Sequence, residues 1–302
     1  MSPWCLLMSC GRSVAGRIAF DLVCSEFAEL CSELDFLLEK LKFLIKVVKD
    51  RYCLDEFDAG FSVSRLFELG SFEKYVSVMD PRCFVSLRKV FRAYDEGRID
   101  GLEFFDRVRA AVRLSLNIKF RDLYELFVLL SLLVELGERG AVLEYPRGRI
   151  VLSRSSRLGW IPANIVLRIG GDYLSLFFEA LRPVESKGIP RYRPDIMVYG
   201  GNIVEIFFDG MKIIPCPDYV IEVESGVEWF RKSNIRVYGS VANVDLIRKY
   251  LKVFKPRKLI VVSRVGVPSD IKEKLRRCGI VIVDNVEYDY NVLGRRLVST
   301  LH

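Results

Sequence analysis

The sequence predicts a chain in two parts, an all-α segment over residues 1–118 and a mixed α+β or α/β domain over residues 119–302. Three observations carry this expectation. Apolar residues recur at spacings of three and four from Phe20 to Val48, the period of a helix with one buried stripe. Between Ala141 and Glu224 that period gives way to short β-branched runs punctuated by Gly and Pro. From about Val241 onward helical and strand patterns alternate, as parallel crossovers require.

Composition narrows the function classes. A chain of 302 residues with 51% hydrophobic content is long enough for about two cores. The apolar run at 126–134 contains Ser131 and falls short of the ~20 residues that cross a bilayer. The start, Met1-Ser2-Pro3-Trp4, lacks the basic region of a secretory signal, so a cytoplasmic protein without a membrane partner is expected. Eight cysteines form no C-x2-C pair and the only histidine is His302. That count argues against structural zinc and removes Ser-His-Asp and Cys-His catalysis. There is no Gln and a single Thr, Thr300, a bias that resembles hyperthermophile usage, where cytosolic disulfides also occur.

Charge is unevenly placed. The formal net charge is +7, yet residues 225–302 alone hold 16 Lys and Arg against 7 Asp and Glu. A basic C-terminal third suits a polyanion partner, and solvated cations that serve only solubility suit the same count.

Taken in order, the stripe from Phe20 to Val48 predicts a long helix within a helical bundle, because Phe36, Leu38, Phe43, Ile45 and Val47 widen it beyond a coiled-coil seam. Asp80-Pro81 reads as a helix start, ending near Gly97, with another helix after Asp100-Gly101. A strong helix is expected over 120–136, stopped by Gly137 and Gly140. Strands are expected at 141–145, 149–153, 164–169 and 173–181, then a hairpin of 202–208 with 211–214 around Asp209-Gly210. A helix over 241–254, a strand at 258–263, a helix at 269–277 capped by Ser269 or Asp270, and a strand at 279–284 complete the pattern.

Two stretches concentrate chemistry. Arg193-Pro194-Asp195-Ile196-Met197-Val198 and Tyr219-Val220-Ile221-Glu222-Val223-Glu224 both read as short buried strands with acids at one end. Side chains at i and i+2 share a strand face, so Glu222 and Glu224 point the same way. Crowded carboxylates repel one another, and a divalent cation between them relieves that repulsion. The plainer alternative is a pair of solvent-facing strand acids. Glu125, inside Leu123-Tyr124-Glu125-Leu126-Phe127, is likewise either functional or the solvated face of a helix.

Helix with an internal Glu, antiparallel strands, Pro-Asp, a Glu-x-Glu strand, helix, strand, helix, strand: this order resembles the PD-(D/E)XK nuclease superfamily over about residues 119–290. The resemblance implies a restriction-endonuclease-like mixed sheet flanked by helices, preceded by the all-α segment. It implies Asp195 as a bridging metal ligand, Glu222 as a second, the Val223 carbonyl as a further oxygen and Glu125 completing the shell around Mg2+ or Mn2+. Asp218, also preceded by a proline, competes with Asp195. Only four residues separate it from Glu222, too few for the chain to turn back with a second strand. Glu224 stands where the family has its lysine. It would act as a base or hold water, or Lys212 or Lys232 would supply a displaced cation, or activity is lost and the fold is kept for binding. The implied function is hydrolysis of double-stranded or branched DNA in defence, mobile-element or repair processing. Arg231, Lys232, Arg236, Arg248, Lys249 and Lys252 would then meet the phosphodiester backbone. Trp229 and Tyr238 would stack on bases or pack in the core. A homodimer or protein partner would dock through the helical segment.

Overall fold

Leucines set the first element. In α1 (Ala28–Tyr52), Leu34, Leu37, Leu41, Leu44 and Val48 of the expected stripe are buried, whereas Phe36 and Phe43 are each 49% exposed. This computed structural model describes residues 25–60, 63, 66–67, 81–152, 160–180, 193–207, 216–231 and 244–301. Lys212, Lys232, Arg236, Tyr238 and the 211–214 arm of the expected hairpin lie outside those residues.

A short strand that the sequence reading left within the helical part, β1 (Glu56–Asp58), follows α1. Helix α2 (Pro81–Asp95) starts at the expected proline. Helix α3 (Gly101–Glu138) opens with the Asp100 carboxylate accepting the Glu103 N–H at 2.8 Å, a side-chain N-cap. It then runs unbroken for 38 residues. The two helices expected here are therefore one, and the 118/119 boundary falls inside it.

The chain divides into two compact units, one of residues 1–40 and 62–123, the other of 41–61 and 124–302. In the first, α2 meets the N-terminal half of α3 through aromatic rings. Phe104 lies 5.5 Å from Phe91 and 4.7 Å from Tyr94, centroid to centroid. Residues 41–61 belong with the second unit for visible reasons. The Tyr52 hydroxyl donates to the Leu133 carbonyl at 2.7 Å in a buried site. Strand β1 pairs in parallel with a strand of that unit, residues 149–151.

The second unit continues with β2 (Val142–Tyr145), β3 (Arg149–Val151), β4 (Trp160–Pro162), β5 (Ile165–Ile169), β6 (Asp172–Phe178), β7 (Ile196–Gly200), β8 (Glu205–Phe207) and β9 (Tyr219–Glu224). Then come α4 (Glu228–Arg231), α5 (Val244–Phe254), β10 (Lys258–Ser263), α6 (Ser269–Arg277), β11 (Ile280–Asp284) and α7 (Tyr290–Leu301). Seven strands form one mixed sheet in the order β11-β10-β9-β7-β6-β5-β2. The run from β2 to β9 is antiparallel throughout, and β9, β10 and β11 are mutually parallel, as two strand–helix–strand crossovers demand. The fold class is thus mixed α/β, as expected.

Two local expectations change. Strand β8 pairs antiparallel with β4, across more than forty residues of sequence, and not with a neighbouring hairpin arm among the described residues. Pro268 occupies the N-cap of α6, which has no side-chain cap bond, so neither Ser269 nor Asp270 caps it.

One sheet face carries Phe177, Met197, Val220, Leu259 and Val261 in a core with Ile247, Tyr250 and Phe254 of α5, Leu275 of α6 and Trp229. Trp229 is therefore a core residue. Among the described residues no helix is long and apolar enough to cross a membrane, and Cys31, Cys53, Cys216 and Cys278 form no disulfide.

Helix α7 was not anticipated, although Leu293, Leu297, Val298 and Leu301 have the spacing of one buried face. Its backbone comes close to α3: a Cβ built at Gly294 lies 2.6 Å from the Ser131 carbonyl oxygen. The Leu301 carbonyl accepts the Tyr219 hydroxyl, and the Thr300 carbonyl accepts Lys258 Nζ at 2.7 Å. Helix α7 thereby holds the starts of β9 and β10. Gly294→Ala should lower stability by about 1–3 kcal/mol, the usual range for forcing a methyl into a packed contact. Equal melting temperatures for the variant and the parent protein would refute that close approach.

Candidate functional site

Strands β7 and β9 are paired through Ile196 with Ile221, Met197 with Val220 and Val198 with Tyr219. One step beyond the Ile196–Ile221 pair, Asp195 stands across from Glu222. There the ladder is continued by side chains. The Val223 N–H donates to Asp195 Oδ2 at 2.7 Å, and the Asp195 N–H donates to Glu222 Oε1 at 3.3 Å. Each strand tip thus satisfies a backbone donor of the other with a carboxylate. Pro194, just before, has no N–H that would need a partner.

Alternation fixes which way the acids point. Val220 belongs to the core beneath α5, so Glu222 and Glu224 continue that same face. They are 3% and 5% exposed. The solvent-facing alternative does not hold for either. On the neighbouring strand Val261 stands beside Glu222 and the fully buried Ser263 beside Glu224.

Helix α3 delivers a further carboxylate. Its Leu123, Tyr124, Leu126 and Phe127 are buried, and Glu125 among them is 2% exposed. It is not on a solvated helix face. Its charge reaches Glu222, so these four acids act on one locus.

Glu222 registers that crowding. Burial pushes its carboxyl well above the usual range, the charges of Asp195 and Glu224 push it further, and the charge of Glu125 adds to this. The hydrogen bond from the Asp195 N–H partly opposes the shift. Tyr250, on the buried face of α5, has its phenol pK raised by burial and by the charges of Glu222 and Asp195, while Arg193 acts in the opposite sense. Its hydroxyl donates to the Arg193 carbonyl at 3.3 Å.

Comparisons with protein-family models, curated proteins and solved structures returned no match. What the site can do must therefore be argued from its own residues.

Of the expected site residues, Asp195, Glu222 and Val223 are in direct contact, and Glu224 and Glu125 reach the same carboxylate electrostatically. Asp218 is engaged at the other end of β9, where its Oδ2 accepts the Gly200 N–H at 2.6 Å. Arg231 closes α4. Lys249 and Lys252 are exposed on α5, away from its buried face of Ile247, Tyr250 and Phe254, and Arg248 is half-buried. Sequence reasoning missed four neighbours. Glu179, at the end of an apolar run, is 8% exposed and gives its N–H to the Asp195 carbonyl at 2.7 Å. Arg193 lay within the quoted Arg-Pro-Asp step. Tyr250 looked like ordinary helix core. Arg264 follows β10, giving its N–H to the Glu224 carbonyl at 3.0 Å and its Nε to the Ser225 carbonyl at 2.8 Å.

Oxygen donors of this kind suit hard cations such as Mg2+ or Mn2+ over softer metals. Among the described residues, however, no three His, Cys, Asp or Glu side chains form a group with metal-holding geometry. Asp195 Oδ2 and Glu222 Oε1 are instead turned onto backbone donors.

A carboxyl whose folded-state pK is raised holds its proton more tightly in the native than in the unfolded chain. Native stability therefore falls as pH rises from the ordinary carboxylate range through the raised value. Glu222→Gln should melt at a higher temperature than the parent protein at neutral pH in chelator, and the two should converge in acid. A variant less stable than its parent at neutral pH would contradict the buried, crowded state of Glu222.

Proposed function

We propose that this chain is a metal-dependent endonuclease of the PD-(D/E)XK type acting on DNA. The observation that carries the reading is the reciprocal bonding of Asp195 and Glu222 across the tips of two antiparallel strands, with Glu224 and Glu125 acting on the same carboxylate. The order of elements supports it. A helix bearing a buried Glu leads into antiparallel strands, then the Asp strand, the Glu-x-Glu strand and parallel crossovers.

Mg2+ or Mn2+, when bound, would polarise a phosphate oxygen and acidify a water molecule near neutral pH. Asp195 and Glu222 would hold it, with the Val223 carbonyl and Glu125 as further oxygen donors. To do so, Asp195 and Glu222 must release or share the backbone N–H groups they now accept. Glu224, one strand repeat beyond Glu222, would accept a proton from the attacking water or orient it. The chain's one histidine, His302, has no part in this scheme. Defence, mobile-element and repair processing of duplex or branched DNA are the settings this chemistry fits.

A second reading rests on two specific observations. Glu224 stands where the resemblance puts a lysine, and the described acids do not form a metal-holding group. On that reading the domain binds nucleic acid, or assembles with a partner through the helical segment, without cleaving.

Incubation with plasmid and branched DNA separates the two. A nuclease should cut in Mg2+ or Mn2+, and Asp195→Ala or Glu222→Ala should slow cutting at least ~10^3-fold, because metal stabilisation is worth several kcal/mol and ~1.4 kcal/mol is tenfold in rate. Saturating Mn2+ should also raise the melting temperature of the parent protein, by the equivalent of about 2.7 kcal/mol at a hundredfold excess over Kd. Glu222→Ala should abolish that shift. Folded protein that neither cleaves nor responds to metal, yet binds DNA with steep salt dependence, would establish the binding reading instead.

A further inference from the structure

We infer that Arg193, held in place by Glu179, is the site's phosphate-contacting cation. This rests on the metal-dependent phosphodiesterase reading above and assigns the positive charge that Glu224 does not provide.

Position comes first. Arg193 lies two residues before Asp195, on the far side of Pro194, and its carbonyl accepts the Tyr250 hydroxyl at 3.3 Å. Its guanidinium stands 3.6 Å from Glu179 Oε1. Glu179 gives its N–H to the Asp195 carbonyl at 2.7 Å. Glu179 directly follows Phe178, the last residue of β6, whose Phe177 belongs to the core beneath α5. The pair is thus built onto the acid locus from the β6 side.

Exposure comes second. The Glu179 side chain is 8% exposed and that of Arg193 32%. A buried carboxylate steadies a cation that still reaches solvent, the arrangement needed to meet an incoming anion. An exposed pair formed only for stability would contribute little.

Backbone conformation is the third observation. Glu179 has φ of 46°, in the left-handed region that a non-glycine residue seldom adopts. Such conformations persist where surrounding contacts over-determine them and gather at functional sites. Here the conformation accompanies both the N–H bond to Asp195 and the ion pair to Arg193. The phenol of Tyr250 feels Arg193 as well as Glu222 and Asp195. Arginine suits the task, since its planar fork pairs with two phosphate oxygens at once.

Fluorescence anisotropy with a fluorescein-labelled DNA duplex, titrated across salt in chelator, tests this. Arg193→Ala should weaken binding about tenfold or more. It should also reduce the slope of log K against log salt by about 1, the signature of one lost phosphate contact. Arg193→Lys should recover the slope and only part of the affinity. Glu179→Gln should keep the slope, because the charge remains, while weakening binding a few-fold at an unchanged melting temperature. If Arg193→Ala does not fold, Arg193→Lys and Glu179→Gln carry the test by the same readouts. Unchanged affinity and slope in folded Arg193→Ala, or a Glu179→Gln effect confined to melting temperature, would overturn the assignment. Mn2+ uptake by the parent protein, read by calorimetry, keeps the two proposals apart. Uptake together with duplex binding indifferent to Arg193 overturns this inference alone; absence of both overturns the nuclease reading with it.

Discussion

The organisation of the second unit depends on how β7 and β9 stop pairing. Their ladder ends at Ile196 and Ile221, and the next backbone donors would be left in a partly buried place without ladder partners. Asp195 and Glu222 meet that need with carboxylates, each accepting an N–H from the opposite strand. The solution removes one cost and introduces another. Two like charges in close contact repel, by about 4 kcal/mol at a separation of ~4 Å and an effective dielectric of ~20. A hydrogen bond returns only about 1 kcal/mol net, or up to ~3 when charged. The two hydrogen bonds can offset that one repulsion, but burial and the charges of Glu224 and Glu125 act on Glu222 as well. All of these favour a cluster with less negative charge, reached by taking up a proton or a cation.

Everything around the acids helps to hold them in that position. Alternation along β9 puts Val220 in the core and so commits Glu222 and Glu224 to the same face. Helix α5 lays Tyr250 over the strand tips, and α3 brings Glu125 from a segment whose leucines are fully buried. Helix α7 fastens the opposite ends of β9 and β10 through the Leu301 and Thr300 carbonyls. Both ends of the acid-bearing strand are therefore fixed, one by backbone acceptors and one by side chains.

Much of this could be read from residues alone, for physical reasons. Period-two and period-3.6 patterns located nearly every strand of the large sheet and helices α2, α5 and α6 to within a few residues, and α1 from Ala28 onward. Asp195 opposite Glu222 followed from an acid at the start of one strand and near the end of another. What escaped reading depended on tertiary contacts. Residues 56–58 form a strand only because Arg149–Val151 lies beside them, and β8 took a distant partner where a local hairpin was expected. The two helices expected on either side of residue 118 are one, α3, as the lack of any Gly or Pro from 102 to 136 permits. Glu179 carried no sequence signal. Its significance comes from a left-handed backbone and an ion pair, neither of which a pattern of residue types encodes.

The burial of Glu222 among other carboxylates has a consequence for exchange with solution. The position favours one extra positive charge, and a proton is the smallest candidate. Any larger cation that enters must first displace that proton, because ligating carboxylates bind in their ionised form. Uptake at this locus would then be an ion exchange: its heat would vary with the ionisation enthalpy of the buffer, and its affinity would climb with alkalinity until the proton is gone. The carboxylate whose burial opposes ionisation would thus make cation uptake a reporter of pH.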